Sequence, residues 1–236
     1  MSLAPTVDIC EFAFRISNLE FAYTRVMRQF KKNKNNKNMN NMNNILSNEL
    51  KEEFYIRVYF NTKEGFEIAG IKRAYLDFNR TLVIKDKNQE NRNKLRNTAE
   101  QFLKNHLLRL ISLDIDNQEM FDSNHENVCV KLTEEWNELS IGQAQKWINM
   151  TLKYWLLFGE KRIPNIEKNA IYFHIPIDSF VQKDMFGITE PKPWSKIRNY
   201  AEYMKYQQEH REKNIKTPPI IYEFEFFNKT TQIKRS

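Results

Sequence analysis

The sequence predicts a mainly helical protein with a small antiparallel β element in its N-terminal half. Three observations point there. From Asn88 onward, apolar residues recur at helical spacing. Between residues 53 and 86, aromatic and β-branched residues crowd into short runs around a turn sequence. Hydrophobic residues make up 41% of the 236 and aromatics 13%, enough for a sizeable core. The division this suggests is an N-terminal α+β part over residues 1–87 and a helical part over 88–236.

Taken in order, residues 7–31 (VDICEFAFRISNLEFAYTRVMRQFK) are apolar and fit strand or helix alike. The Asn/Lys-rich tract from Lys31 to Asn48 has little to bury and predicts a disordered loop over 31–48. EFYIRVYFNT and RTLVIKD read as strands, with NTKEG as a hairpin turn. In NRNKLRNTAEQFLKNHLLRLISL, the residues Leu95, Ala99, Leu103, Leu107 and Leu110 line one helical face. A polar connector is expected from Asp114 to Asn127, then a short helix from Thr133 to Leu139. Ser140 with Gln143 three residues later is a capping box for the helix that follows. PKPWSKIRNYAEYMKYQQEHREK predicts a proline-bounded amphipathic helix, and PPIIYEFEFF an aromatic tail.

Lys and Arg number 37 against 30 Asp and Glu, a net charge of +7. That balance suits a polyanionic partner, nucleic acid above all, and equally suits a lysine-rich composition with no such partner. Cys10 and Cys129 form no CxxC, and the four histidines have no metal-ligand spacing, so neither a disulfide framework nor a metal or cofactor site is expected. No signal pattern opens the chain and no apolar run approaches membrane-spanning length, which predicts a soluble, cytoplasmic monomer.

The helix in LSIGQAQKWINMTLKYWLLFG raises the functional question. Ala144, Trp147, Ile148, Thr151, Leu152 and Trp155 share one broad face, while Lys146, Asn149 and Lys153 lie opposite. One reading is a solvated face. The other starts from the helix N-terminus at Gly142, where free N–H groups suit a phosphate and the positive field eases deprotonation of a lysine, making it a nucleophile. Downstream, in YFHIPIDSFVQKDM, Asp178 opens a helix. It is an N-cap, and an N-cap carboxylate is also rigidly aimed and ionised.

A turn and helix carrying a lysine, followed by a PxD that opens another helix, resembles the helix-hairpin-helix DNA glycosylases. The closer likeness is to the archaeal 8-oxoguanine DNA glycosylase branch. Its lysine helix has a rhythm like KWINMTLK, and its IPIPxD-like segment lies about as far downstream as HIPID does here, 32 residues from Lys146 to Asp178. The likeness covers roughly Thr133 to Val181, about a fifth of the chain. The usual glycine pair of the hairpin is reduced to SIG, and Lys146 follows Gly142 by four positions.

The resemblance implies a helix-hairpin-helix glycosylase-like fold that binds double-stranded DNA and flips a damaged or modified base out of the stack, whether 8-oxoguanine, another lesion or a modified phage base. Lys146 would attack the sugar and Asp178 would steady its positive charge. Ser140, Gly142, Gln143, Asn149 and Lys153 would contact DNA. Trp194, Trp155, Trp147, Phe173 and the tail aromatics are candidate partners for the flipped base; Trp147 and Trp155 read as core, and Trp194, at a helix start, is the least obviously so. His174 would touch base or phosphate unless it is a satisfied structural histidine, and Glu223 would read a base edge. The competing reading is a non-enzymatic DNA-binding or inhibitory protein of a phage or mobile element.

Overall fold

The computed structural model describes residues 46–233. The expectations for residues 7–31 and for the Asn/Lys tract up to residue 45 therefore lie outside the described residues. The chain divides into two units, Met1–Glu52 and Glu53–Ser236.

Helix α1 spans Asn48–Tyr59, crossing from the first unit into the second, and α2 spans Phe66–Phe78. A short 3-10 turn, Thr62–Glu64, joins them, capped by the Asn61 side chain accepting from the Lys63 N–H. Helices α3, Gln89–Ser112, and α4, Gln118–Glu135, follow. Next comes α5, Ile141–Phe158. An irregular stretch then leads to α6, Tyr200–Lys213, and α7, Pro219–Ile233.

Among the described residues there is no strand, so the β element expected over 53–86 is replaced by α1 and α2. The reason lies in spacing. Ile56, Phe60, Ile68, Ile71, Ala74, Tyr75 and Phe78 are buried at intervals of three and four within each helix, whereas Tyr55 and Val58 face solvent. Local β preference is a weak prior, and a helical apolar stripe with a core to cover overrides it. The expected hairpin turn NTKEG is the helix–helix link instead. The polar connector expected up to Asn127 is largely α4, which starts at Gln118 behind an Asn117 cap and buries Phe121, His125, Val128, Cys129 and Leu132. The short helix expected from Thr133 is only the last turn of α4. The aromatic tail is helical too, as α7.

Helix α5 is the centre. The expected capping box is present in full: Ser140 Oγ accepts from the Gln143 N–H, and Gln143 Oε1 accepts from the Ser140 N–H. The helix is buried around its whole circumference from Ile141 to Trp155. Helix α2 packs antiparallel on one side. Trp155 Nε1 donates to Glu67 O at 3.0 Å, Trp147 Nε1 donates to Ile71 O at 3.0 Å, and Gln143 Nε2 donates to Thr81 O at 2.9 Å. On the other sides stand α4, α6 and the chain from Phe173 to Ile197.

Candidate active site

Because α5 is covered on every side, its polar face is not a solvated one. Lys146 is 4% exposed, Asn149 1% and Lys153 8%. A buried charge needs a partner, and each lysine has one.

Lys146 Nζ donates to Asp178 Oδ2 at 2.5 Å. Asp178 Oδ1 accepts from the Val181 N–H at 2.9 Å, so the carboxylate caps the turn it opens while it holds the lysine. Cap and ion pair coexist on one carboxylate. Burial pushes its carboxyl up, but the charge and hydrogen bond of Lys146, the Val181 N–H and the charge of Lys153 outweigh that and hold it below its ordinary value. The Asp178 side chain is 25% exposed and that of Lys146 only 6%, so the pair meets solvent from the carboxylate side.

Two turns along α5, Lys153 Nζ donates to Glu223 Oε1 of α7 at 2.8 Å. It lies 4.8 Å and 5.1 Å from the ring centres of Phe224 and Phe227. Burial lowers the Lys153 amine against the raising effect of Glu223. Phe180, close after Asp178, meets Phe226 and Phe227 with ring centres 6.1 Å and 5.8 Å apart. Helix α7 thus closes this side of the site with one carboxylate and a set of aromatic rings.

The other residues singled out in the sequence have inward partners. Ser140 Oγ donates to Ser195 O at 2.7 Å, and the Gly142 N–H donates to Ile197 O at 2.9 Å. A Cβ on Gly142 would lie 1.8 Å from Trp194 O, so only glycine lets the start of α5 approach that strand of chain so closely. The N–H expected to meet a phosphate is therefore already used. Gln143 is occupied by Thr81, and Asn149 lies fully inside. Trp194 is buried at 8% exposure rather than offered to a ligand. His174 is the satisfied structural histidine of the two readings: Nδ1 lies 2.8 Å from the Tyr203 hydroxyl and Nε2 2.8 Å from Asp122 Oδ1. Glu223 is buried on Lys153.

Sequence reasoning missed the device that positions Asp178. The run Phe173–Ile177 is extended and buried but pairs with no strand, and two glutamines take that role. Gln145 Nε2 donates to Ile177 O at 2.8 Å while its Oε1 accepts from the Ile177 N–H at 3.2 Å. Gln207 does the same for Ile175, at 2.8 Å and 3.1 Å. Gln145 neighbours Lys146, so the residue that aligns the segment and the lysine that meets its end share one turn of α5. Behind them, Asn149 donates to Gln145 Oε1 and to the Tyr203 hydroxyl. With both amide hydrogens spent, its Oδ1 accepts from His125 Nε2 at 2.9 Å. Asp122 closes the network, gripped by both terminal nitrogens of Arg211 at 2.7 Å and 2.9 Å. The signal that could have led here is four polar residues, Gln143, Gln145, Lys146 and Asn149, in a helix otherwise rich in tryptophan and aliphatics.

Among the described residues, no group of three or more His, Cys, Asp or Glu side chains is placed to hold a metal ion, and no helix is long and apolar enough to cross a membrane. No family model, no curated protein and no solved structure matches the chain.

Proposed function

We propose that the chain is a DNA glycosylase of the helix-hairpin-helix kind, with Lys146 as nucleophile and Asp178 as the carboxylate that works with it. The observation that carries this reading is the buried contact between the two at 2.5 Å, open to solvent on the carboxylate side. The ammonium must first give up a proton, and the solvent that reaches the pair on its carboxylate side can take it. The neutral amine attacks C1′ of a flipped nucleotide, the C1′–N bond breaks, and the base leaves with the bonding electrons. Asp178, kept ionised by its contacts, is placed to steady positive charge on the sugar. The lysine–sugar adduct opens to a Schiff base, from which loss of the proton at C2′ and of the 3′ phosphate gives strand cleavage.

The test is borohydride trapping on duplex oligonucleotides carrying single lesions or modified bases. The wild type should form a covalent adduct with at least one of them, and Lys146→Gln should form none while keeping most of its affinity, since it loses one charge among many. Duplex binding without any adduct across the panel would instead identify a non-enzymatic DNA-binding protein.

A further inference from the structure

Ser140, Gly142 and Gln143 are turned inward, yet the two chain segments that hold them carry cations on their outer side. The first segment is the 3-10 turn Asn79–Thr81 that follows α2. Gln143 Nε2 fixes it by donating to Thr81 O at 2.9 Å and to Thr81 Oγ1 at 3.0 Å. Phe78, just before it, is fully buried, and Arg80 is left exposed. The second segment is the turn Trp194–Lys196 with the residues after it. Ser140 Oγ donates to Ser195 O at 2.7 Å, and the Gly142 N–H donates to Ile197 O at 2.9 Å. Trp194 and Ile197 are its buried anchors, so Lys196 and Arg198, on either side of Ile197, stand outward and exposed.

These segments flank the face of α5 that carries Lys146. At about 100° per residue, the direction of Lys146 falls between that of Gly142, one turn before it, and that of Gln143. The segment on Gly142 and the segment on Gln143 therefore lie to either side of it. None of the three cationic side chains has an ion-pair or hydrogen-bond partner among the described residues. The exposed Arg57, Lys168 and Lys213, by contrast, are each held by a carboxylate. Glu138, two residues before Ser140, is taken up by the Lys85 N–H at 2.6 Å and by Trp136 Nε1 at 3.4 Å.

We propose that Arg80, Lys196 and Arg198 form the surface that grips the sugar–phosphate backbone of duplex DNA beside the Lys146–Asp178 pair. The choice of duplex DNA rests on the glycosylase reading; the surface rests on position and charge. A guanidinium matches a phosphate with two parallel N–H donors, and an ammonium supplies a point charge. A cation with no carboxylate beside it brings its full charge to a phosphate, and each phosphate it neutralises releases counterions. Such contacts set the protein on the duplex without reading sequence. They also give the start of α5 a hold on DNA although its own capping groups and the Gly142 N–H are already used.

The experiment measures binding of the full-length protein to an undamaged duplex by fluorescence anisotropy across a range of salt concentrations. Each phosphate contact contributes about 0.9 to the slope of log affinity against log salt. The triple variant Arg80→Gln, Lys196→Gln, Arg198→Gln should bind at least about tenfold more weakly at low salt, with a slope shallower by about 2 to 3. The control Arg109→Gln, Lys161→Gln, Lys216→Gln removes the same net charge from exposed positions elsewhere and should change the slope by less than about 1. Should the first triple not fold, the three single variants decide, each expected to lose about 0.9. Equal slopes in the two triples overturn the proposal, as does a wild type with no salt-dependent affinity for the duplex. A loss seen on duplex RNA or on anionic vesicles but absent on duplex DNA overturns it in favour of that partner. The readout needs no base excision. Rim-dependent binding without borohydride adducts upholds the surface and removes the glycosylase reading, and adducts from a protein whose slope ignores the rim do the reverse.

Discussion

Lys146 and Asp178 meet at 2.5 Å although 32 residues separate them, and their chain neighbours Gln145 and Ile177 bond to each other as well. Gln145, next to Lys146, holds both backbone groups of Ile177, next to Asp178. The ion pair is therefore the tip of a three-bond clamp between α5 and the extended segment.

The first prediction separates the pair from the cap. A carboxylate that served only as an N-cap would cost about 0.5–2 kcal/mol on mutation to alanine. Removing Asp178 also strands the Lys146 ammonium in a buried place, and breaking a buried pair costs about 3–5 kcal/mol. Asp178→Ala should therefore fall in the higher range in urea unfolding. Combining it with Lys146→Met should return part of the loss, because no unpaired charge then remains. Additive losses in that double-mutant cycle would show that the contact has no energetic weight. On the proposed glycosylase reading, Asp178→Asn should also slow excision by orders of magnitude with DNA affinity equal or tighter, since a negative charge near the phosphates would be gone.

The second concerns the glutamines. Gln145→Leu and Gln207→Leu each leave a buried N–H and C=O without a partner, at a cost of about 1–3 kcal/mol per group. The two should destabilise to similar degrees; on the proposed glycosylase reading, Gln145→Leu should reduce borohydride trapping far more at a temperature where both are folded. Only Gln145 sits between the lysine and the segment that ends in Asp178. Equal trapping in the two variants would make the clamp structural alone.

Gly142 offers a third test. Its missing Cβ would meet a backbone oxygen, Trp194 O, at 1.8 Å, and a backbone cannot rotate aside as a side chain can. Gly142→Ala should push the 194–197 segment off the start of α5, break the Gly142–Ile197 hydrogen bond and lower the melting temperature, at a cost of about 1–3 kcal/mol from overpacking alone. A melting temperature equal to that of the wild type would mean that the segment yields freely.

Much of the helical part was legible. The capping box at Ser140 and Gln143, the apolar stripe of α3 and the helix after Asn199 are local signals, written in residues three and four apart. The meeting of Lys146 and Asp178 was legible only through resemblance, because no periodicity links residues 32 apart. What failed, failed for two physical reasons. The runs around Tyr55 and Val58 carry β-favouring residues on the exposed side of a helix, where such preferences decide little. The polar face of α5 was read against a single apolar stripe, and a one-sided pattern does not reveal that a second polar layer, from α4, α6 and the extended segment, waits on the other side. Asp122 and His125 come from α4, Tyr203 and Gln207 from α6, and all four look unremarkable in each helix alone.

The last prediction is a two-stage loss of stability in acid. His125 and His174 are fully buried with ring centres 4.4 Å apart, and burial holds both imidazoles below the ordinary value of 6.5; His174 stays low even though Asp122 pulls it up. Burial and the Arg211 charge lower His210 to about 4. A histidine kept neutral by the fold binds its proton more weakly when folded than when unfolded. Below about pH 6.5 the unfolded chain takes up protons that the folded chain refuses, so stability falls as pH falls, by about 1.4 kcal/mol per pH unit for each such group. For His210 this loss runs from 6.5 down to about 4 and then levels off. Asp122 acts in a lower window. Burial opposes its ionisation, but His174 and Arg211 hold its carboxyl well below the ordinary 3.8, so its contribution is present above that value and is lost only as pH drops beneath it. Melting temperatures measured from pH 8 to pH 3 should therefore decline first below 6.5 and steepen again below about 4. His210→Gln should flatten the first limb by about one proton's worth and leave the second in place. A melting temperature that holds constant between pH 7 and pH 5 would mean that the buried imidazoles accept protons inside the fold, and that the network around Asn149 and Tyr203 tolerates charge.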